Sequence, residues 1–388
     1  MKILTNVWDE KEFMRNKKAD NELKTQNRIR VIKYVLEHKN VSRQDIAAAL
    51  GFSMPTVFSY VTELLDLNIL CETGKFGSTG GRKAKVLSIQ TGERYVIGMD
   101  ITKHHLRLLL MDFAGSPVAE KYFRFPYENT EQYYFDLGAH LEQFINENQL
   151  PKEQVIGVGI SIPGIINIEN KMLQRSHILE VSNISLFQFS KNISYPTYFE
   201  NDANSAAYAE ISNEITKNTI YLSLSNTVGG AICYSGMLYT GDNYKSGEFG
   251  HMVIRPGGKT CYCGKQGCLD AYCSAMVLQG KQENHLEDFF DKLLNREEES
   301  LKKWDEYLEN LAIAVTNLRM AYDCDIILGG YIGGYIAQYR GQFYQKLQYY
   351  NKFEQDTSYI IIGKYKRQST VIGIARMMLN YCIAYEKF

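Results

Sequence analysis

Four side chains that bind soft metal ions lie together in the stretch Gly247–Ser274, GEFGHMVIRPGGKTCYCGKQGCLDAYCS: His251, Cys261, Cys263 and Cys268. One imidazole and three thiolates make up a ligand set that Zn²⁺ takes in tetrahedral sites. Gly257, Gly258, Gly264 and Gly267 permit the tight turns that a loop needs to close on one ion. A disulfide pair or four unrelated thiols would be the alternative. Disulfides need an oxidising compartment, and the remaining cysteines, Cys71, Cys233, Cys273, Cys324 and Cys382, are spaced like ordinary buried thiols. Four protein ligands leave no open position for water, so the expected ion is structural.

A chain of 388 residues has room for two or three domains, and 45% hydrophobic with 22% charged residues is the composition of an ordinary soluble globular protein. No apolar run approaches a membrane span, and MKILTNVWDEKEFMRNKKADNELK at the front lacks the apolar core of a secretory signal. The expected location is the cytoplasm. Net charge is −1, unevenly spread: residues 1–90 hold 15 Lys/Arg against 10 Asp/Glu. The excess of cations points to a front end that meets a polyanion.

Residues 1–21 read as a polar arm or short helix, and residues 22–90 as the first domain. In NRIRVIKYVLEH, Ile29, Ile32, Val35 and Leu36 recur on one helical face. Ser42 with Asp45 forms a capping-box signature for a helix ending at Gly51, and Ser53 caps a second helix with Pro55 in its first turn. The buried face of that second helix is expected at Val57, Val61, Leu64 and Leu65. GKFGSTGGRKAKVLSI then reads as a β-hairpin with a basic, glycine-rich tip. Helix, turn, helix and basic hairpin together describe a winged helix-turn-helix, whose second helix fits the DNA major groove. Ser53, Met54, Pro55, Thr56 and Ser59 are the candidates for base contacts, with Phe58 either meeting a thymine methyl or packing inward. Arg82 and Lys83 on the wing suit a minor groove, and Lys24, Arg28 and Arg43 suit phosphates. A winged helix used for protein contact is the alternative.

From Thr91 the pattern becomes α/β. YVIGMDI, HLRLLLMDF and SPVAEKYFRF read as strands, followed by a helix over roughly 130–148. VIGVGISIPGII and TYFEND are strands, NTIYLSLSN and GGAICYSG a hairpin, and DIILGG a strand before a closing helix near Thr370. Strands alternating with helices define an α/β domain over residues 91–388.

The sequence resembles the ROK family of repressors and sugar kinases. The resemblance rests on Glu248-x-Gly250-His251 followed by Cys261-x-Cys263-Gly264-x-x-Gly267-Cys268-Leu269, on Glu200-Asn201-Asp202 with Asn204 and Ala206-Ala207, on Pro163-Gly164, and on Leu328-Gly329-Gly330. Asn27-Arg28 and Gly80-Gly81-Arg82 resemble the front of the family's regulators. The resemblance implies a two-lobed, actin-like (ribonuclease H-like) sugar-kinase fold. Lobe one would cover about 91–200 plus the C-terminal helix, and lobe two about 201–369. It implies a sugar or sugar phosphate between the lobes, at Gly164, Asn201, Asp202, Glu248, His251 and Asp270, with His251 also facing zinc. Asp270 stands where the family usually has Glu, one methylene longer. Read alone, Asp202 could equally cap a helix, and Glu248 could be a solvated loop carboxylate.

Two glycine-rich turns cradle phosphates in the family's kinases. Here the first reads Asp100-Ile101-Thr102-Lys103 and the second Ser225-Asn226-Thr227-Val228-Gly229-Gly230-Ala231. Side chains at such turns obstruct a triphosphate, and phosphoryl transfer depends on that positioning. The expected protein is therefore a sugar-responsive transcriptional repressor and not an enzyme, with duplex DNA as partner and a homodimer or dimer of dimers as assembly. The alternative is an active sugar kinase fused to a DNA-binding domain, with Asp202 as its catalytic base. A third reading is a constitutive DNA-binding protein whose second domain only dimerises.

Overall fold

The computed structural model describes residues 7–75, 85–211, 217–279 and 286–388, with side chains from residue 22 onward except at Lys75. The front end begins with one long helix, α1 (Val7–His38). It crosses position 21 without a break, so the expected arm is helical from Val7; no Gly or Pro lies within it to end it earlier. Helix α2 (Arg43–Leu50) starts at Ser42, whose side chain and that of Asp45 complete both halves of the capping box. Helix α3 (Met54–Asp66) starts at Ser53 with Pro55 in its first turn. Its buried residues are Val57, Tyr60, Val61 and Leu64, packed with Val31, Ile32, Val35 and Ile46. Leu65, expected in that set, is only partly buried, and Tyr60 takes a place in it. Strands β1 (Leu70–Lys75) and β2 (Lys85–Ile89) pair antiparallel as the wing's base. Arg82 and Lys83 lie outside the described residues.

The remainder builds two five-stranded sheets. The first collects β3 (Tyr95–Ile101), β4 (His105–Asp112), β5 (Pro117–Arg124), β6 (Val155–Ile162) and, after a smaller sheet, β10 (Thr197–Asn201) in the order β10-β6-β3-β4-β5. Helix α4 (Glu131–Glu147) connects β5 to β6. The smaller sheet, β7 (Ile165–Asn167), β8 (Met172–Ser176) and β9 (Val181–Ser185), precedes the short helix α5 (Phe187–Ser190). Helix α6 (Asp202–Glu210) leads to the second sheet. That sheet comprises β11 (Thr219–Leu224), β12 (Val228–Tyr234), β13 (Met237–Tyr239), β14 (Asp325–Gly329) and β15 (Ile360–Ile362), ordered β13-β12-β11-β14-β15. Between β13 and β14 come α7 (Asp270–Cys273), α8 (Ala275–Gln279), α9 (Leu286–Leu294) and α10 (Glu298–Tyr322). Helices α11 (Gly330–Ile336) and α12 (Arg340–Tyr350) follow β14, and α13 (Ser369–Ala384) follows β15.

Each large sheet is a three-strand antiparallel meander extended by two parallel strands, so one architecture occurs twice. This is the two-lobed, actin-like arrangement. Helices α6 and α13 pack together at its centre. An added Cβ at Gly373 of α13 would lie 1.7 Å from the carbonyl oxygen of Ser205 in α6. No flexible side chain can yield there, because the obstacle is backbone. A Gly373→Ala variant is expected to lose about 3 kcal/mol or more, read as a lower urea midpoint with an unchanged slope.

Candidate functional site

The lobes enclose a cleft of about 760 Å³, and Gly164, Asn201, Asp202, Glu248 and His251 all line it. Gly164 closes the turn after β6 at φ +134°, where a Cβ would meet the Arg175 carbonyl at 2.5 Å. Asn201 ends β10. Its Oδ1 accepts from the amides of Ala203 (2.8 Å) and Asn204 (3.2 Å), and its Nδ2 donates to the Gly164 carbonyl (2.8 Å). Asn201 therefore caps α6 and fixes the Gly164 turn, and its side chain is spent on positioning. The capping role considered for Asp202 belongs to its neighbour. Asp202 is the first residue of α6 and projects its carboxyl into the cleft. Burial raises its pKa, and the nearby amides of Ala203 and of Asp202 itself oppose the rise.

Glu248 precedes the single turn Phe249–His251. Its side chain is 45% accessible, yet burial raises its pKa, and the Asp202 charge adds to the rise. The two observations agree if the accessible side faces the cleft and not bulk solvent. Glu200 accepts from the Asn201 amide and from Asn204 Nδ2, and burial raises its pKa as well. It lines the cleft beside Asp202, a placement that its position in a strand did not announce.

Asp270 departs from expectation. It is 5% exposed, does not line the cleft, and accepts from the Val228 amide at 2.6 Å. Its carboxyl is engaged at the second turn and not at the cleft. Sequence reading also missed Arg175, His177 and Tyr262 at the cleft. The β7-β8-β9 sheet brings His177 to 5.5 Å from the Tyr262 ring and 6.2 Å from the His251 ring. Only the tertiary fold makes that meeting, so no local signal could have found it.

The four metal-type ligands converge. Their ligating atoms lie within 4.8 Å of one another. Cys263 Sγ and Cys268 Sγ are 3.8 Å apart, as are Cys261 Sγ and His251 Nδ1. A tetrahedral ion with 2.3 Å bonds to sulfur requires S···S edges of about 3.8 Å, so this group fits such an ion. His251 turns Nδ1 to the thiols and Nε2 to the cleft, where Nε2 lies 3.3 Å from Tyr262 Oη and 4.0 Å from Glu248 Oε2. Gly267, at φ +84°, has no room for a side chain: a Cβ would lie 1.9 Å from the Arg255 carbonyl.

At the first turn, Thr102 Oγ1 accepts from the His105 amide (3.0 Å) and donates to its carbonyl (3.1 Å). Behind it Asp100 is 8% exposed, and its pKa is pushed up to about 7 by burial, against the opposing charge of Arg107 and with the Asp202 charge adding. Ser161, in register between Asp100 and Glu200, has a buried hydroxyl with no partner among the described residues.

On the front domain, Ser53, Met54, Pro55, Phe58 and Ser59 are exposed along one face of α3, and Thr56 is half-buried. Phe58 points outward at 60% exposure, beneath the Arg43 guanidinium at 5.4 Å. Arg43 also pairs with Glu72 (3.3 Å). Arg28, expected on phosphate, is instead bound to Glu386 and Glu63. Its two carboxylate partners leave it no free fork for DNA.

A winged helix-turn-helix joined to a two-lobed, actin-like domain with a ligand-type cleft and a His–Cys₃ cluster defines a class of protein. The profile of the ROK family matches residues 96–380. The chain belongs to the ROK family. It is 30% identical over 261 residues to the xylose repressor of Bacillus subtilis strain 168, covering 66% of this chain and 67% of that one. The crystal structure of a ROK family transcriptional regulator, a homolog of the E. coli MLC protein, superposes with a TM-score of 0.75 at 20% identity, covering 94% of this chain and 98% of the other. A ROK family glucokinase from Streptomyces griseus, in complex with glucose and AMPPNP, superposes with a TM-score of 0.62 at 19% identity over 73% of this chain and 98% of the kinase. Among the described residues no helix is long and apolar enough to cross a membrane.

Proposed function

We propose that the protein is a sugar-responsive transcriptional repressor that binds duplex DNA through α3 and the wing. The observation that carries this reading is one chain holding both an exposed helix face at residues 53–59 and a carboxylate-lined cleft around Asp202. Ser53, Met54, Pro55, Thr56 and Ser59 read base edges, Arg43 reaches a phosphate, and Arg82 and Lys83 extend from the wing. A two-fold operator matches a homodimer. The thiol-rich loop suits a reducing cytoplasm.

Asp202 and Glu248 accept hydrogen bonds from sugar hydroxyls, and His251 Nε2 offers a further polar contact. Zn²⁺ held by His251, Cys261, Cys263 and Cys268 supplies a structural cross-link. The four side chains fix the loop so that His251 and Glu248 face the cleft. Two features set the site apart from a kinase: the turn Asp100–Lys103 contains no glycine, and Asp270 occupies the Val228 amide of the second turn. A sugar shifts DNA affinity by its unequal affinity for open and closed lobes.

The test is a thermal-shift series with D-xylose, D-glucose, N-acetylglucosamine, their phosphates, and ATP–Mg²⁺. Binding to the folded state raises the midpoint by mass action. A sugar or sugar phosphate is expected to stabilise the protein, and ATP is not. Asp202→Ala should weaken the active sugar roughly 10- to 150-fold, the loss of one charged hydrogen bond. ATP turnover with sugar, abolished by Asp202→Ala, would instead establish the kinase.

A further inference from the structure

The placement of Arg28 gives it a role other than phosphate binding. Its Nε donates to Glu386 Oε1 at 2.9 Å and its Nη2 to Glu386 Oε2 at 2.8 Å. Thr25 Oγ1 donates to the same carboxylate at 3.3 Å. On the other side Nη1 reaches Glu63 Oε2 on α3 at 3.1 Å, and Glu63 Oε1 accepts from Ser59 Oγ at 3.4 Å. One guanidinium thus ties the segment that follows α13 to the helix that presents residues 53–59. Its planar fork serves two carboxylates at once, which the single ammonium of lysine cannot do in the same geometry.

The far end of α13 reaches the cleft. Ser369 and Thr370 line the cleft. Gly373 lies against α6, the helix that begins with Asp202, and Arg376 Nη1 donates to the Ala209 carbonyl at 2.8 Å. Farther along, Leu379, Cys382 and Ile383 share one core with Val31, Ile32, Val35 and Val61 of the front domain. At 1.5 Å per residue, α13 spans about 21 Å between Ser369 and Ile383. A second attachment is parallel to the first: Arg94 donates to the Leu67 and Asn68 carbonyls just after α3, both at 2.8 Å.

We propose that Arg28 is a positioning residue that seats α3 against the sensing domain and couples movement of α13 to the DNA-reading face. The proposal rests on the repressor reading above. A packed helix touching both sites supplies the physical connection; the energetic coupling is what an experiment must find.

Three variants test it in the full-length, metal-loaded protein: Arg28→Gln, Glu386→Gln and the double variant. Hydrogen exchange reads the attachment without DNA or sugar. Arg28→Gln should speed exchange at the amides of Tyr385, Glu386 and Lys387 at least fivefold; unchanged protection there overturns the proposal, whatever the ligand. The second reading is operator affinity with and without D-xylose, on a duplex selected from a random pool by the parent protein. Where the parent responds tenfold or more, each single variant should respond less than threefold. The double variant should be no worse than either single one, as expected when two residues act as one unit. Sugar affinity by thermal shift should stay within twofold. A loss of DNA affinity that is equal with and without sugar marks a merely structural contact and overturns the proposal. A parent protein that binds no DNA, or ignores every sugar of the thermal-shift series, refutes the repressor reading, and the exchange data still decide whether Arg28 holds the junction.

Discussion

A Cys268→Ser variant should emerge with less than a tenth of the parent's bound metal and melt about 5–8 °C lower. Cys268 is fully buried and its Sγ is one corner of the His–Cys₃ group. Metal binding at such a group is coupled to folding of the loop, so removing a thiolate releases both the ion and part of the folding free energy. A loss of about 3–5 kcal/mol corresponds to about 5–8 °C in a domain of this size. Sugar binding should fall with it, because His251 and Glu248 take their orientation from the loop. Cys273→Ser is the control: that thiol is equally buried but contacts the Tyr307 carbonyl and not the metal group. It should retain one ion per chain by elemental analysis. A Cys268→Ser protein with full metal content would refute the ligand assignment.

Asp100→Asn should stabilise the protein, and the gain should depend on pH. Burial holds the Asp100 carboxyl near a pKa of about 7, whereas the unfolded chain releases that proton near pH 4. Between those values the folded state binds the extra proton, so Asp100 costs stability progressively as pH rises, with a constant deficit above about pH 7. Three units of displacement set a ceiling of about 4 kcal/mol, and asparagine removes the cost of ionising in place. Urea denaturation should show Asp100→Asn more stable by about 2–4 kcal/mol at pH 8, with the difference about halved at pH 5.5. A variant that is less stable at pH 8 would mean that Arg107 holds Asp100 as a paired carboxylate in the native fold.

Much of the front domain was legible because its signals are local. The Ser42–Asp45 box, the Ser53 cap and the apolar spacing of α3 lie within a few residues of what they specify. The His–Cys₃ group was legible for the same reason, since one loop carries all four ligands. Asp202 was found by its motif and assigned to the cleft, but the capping role of Asn201 was not found. Asn201 takes the cap and Asp202 faces the cleft, a division set by backbone angles at the strand-to-helix join. Asp270 was placed at the cleft because its partner, the Val228 amide, lies 42 residues away along the chain, where local pattern carries no information. Arg28 was misread because Glu386 lies 358 residues away along the chain, a separation over which local pattern carries no information.

The same separation has a bearing on how the protein is made. Helix α13 is the last of the described elements in chain order, yet it fills the middle of the sensing fold and backs onto the front domain's core. Contacts of such sequence separation carry a large loop-closure cost and form late. During synthesis, which runs from the N-terminus, α1 to α3 emerge before α13 and cannot gain their packing against Leu379, Cys382 and Ile383 until α13 too has left the ribosome. Completion of the DNA-reading unit is thereby tied to completion of the sensor, so a prematurely halted chain would lack both the finished cleft and the seat for its reading helix.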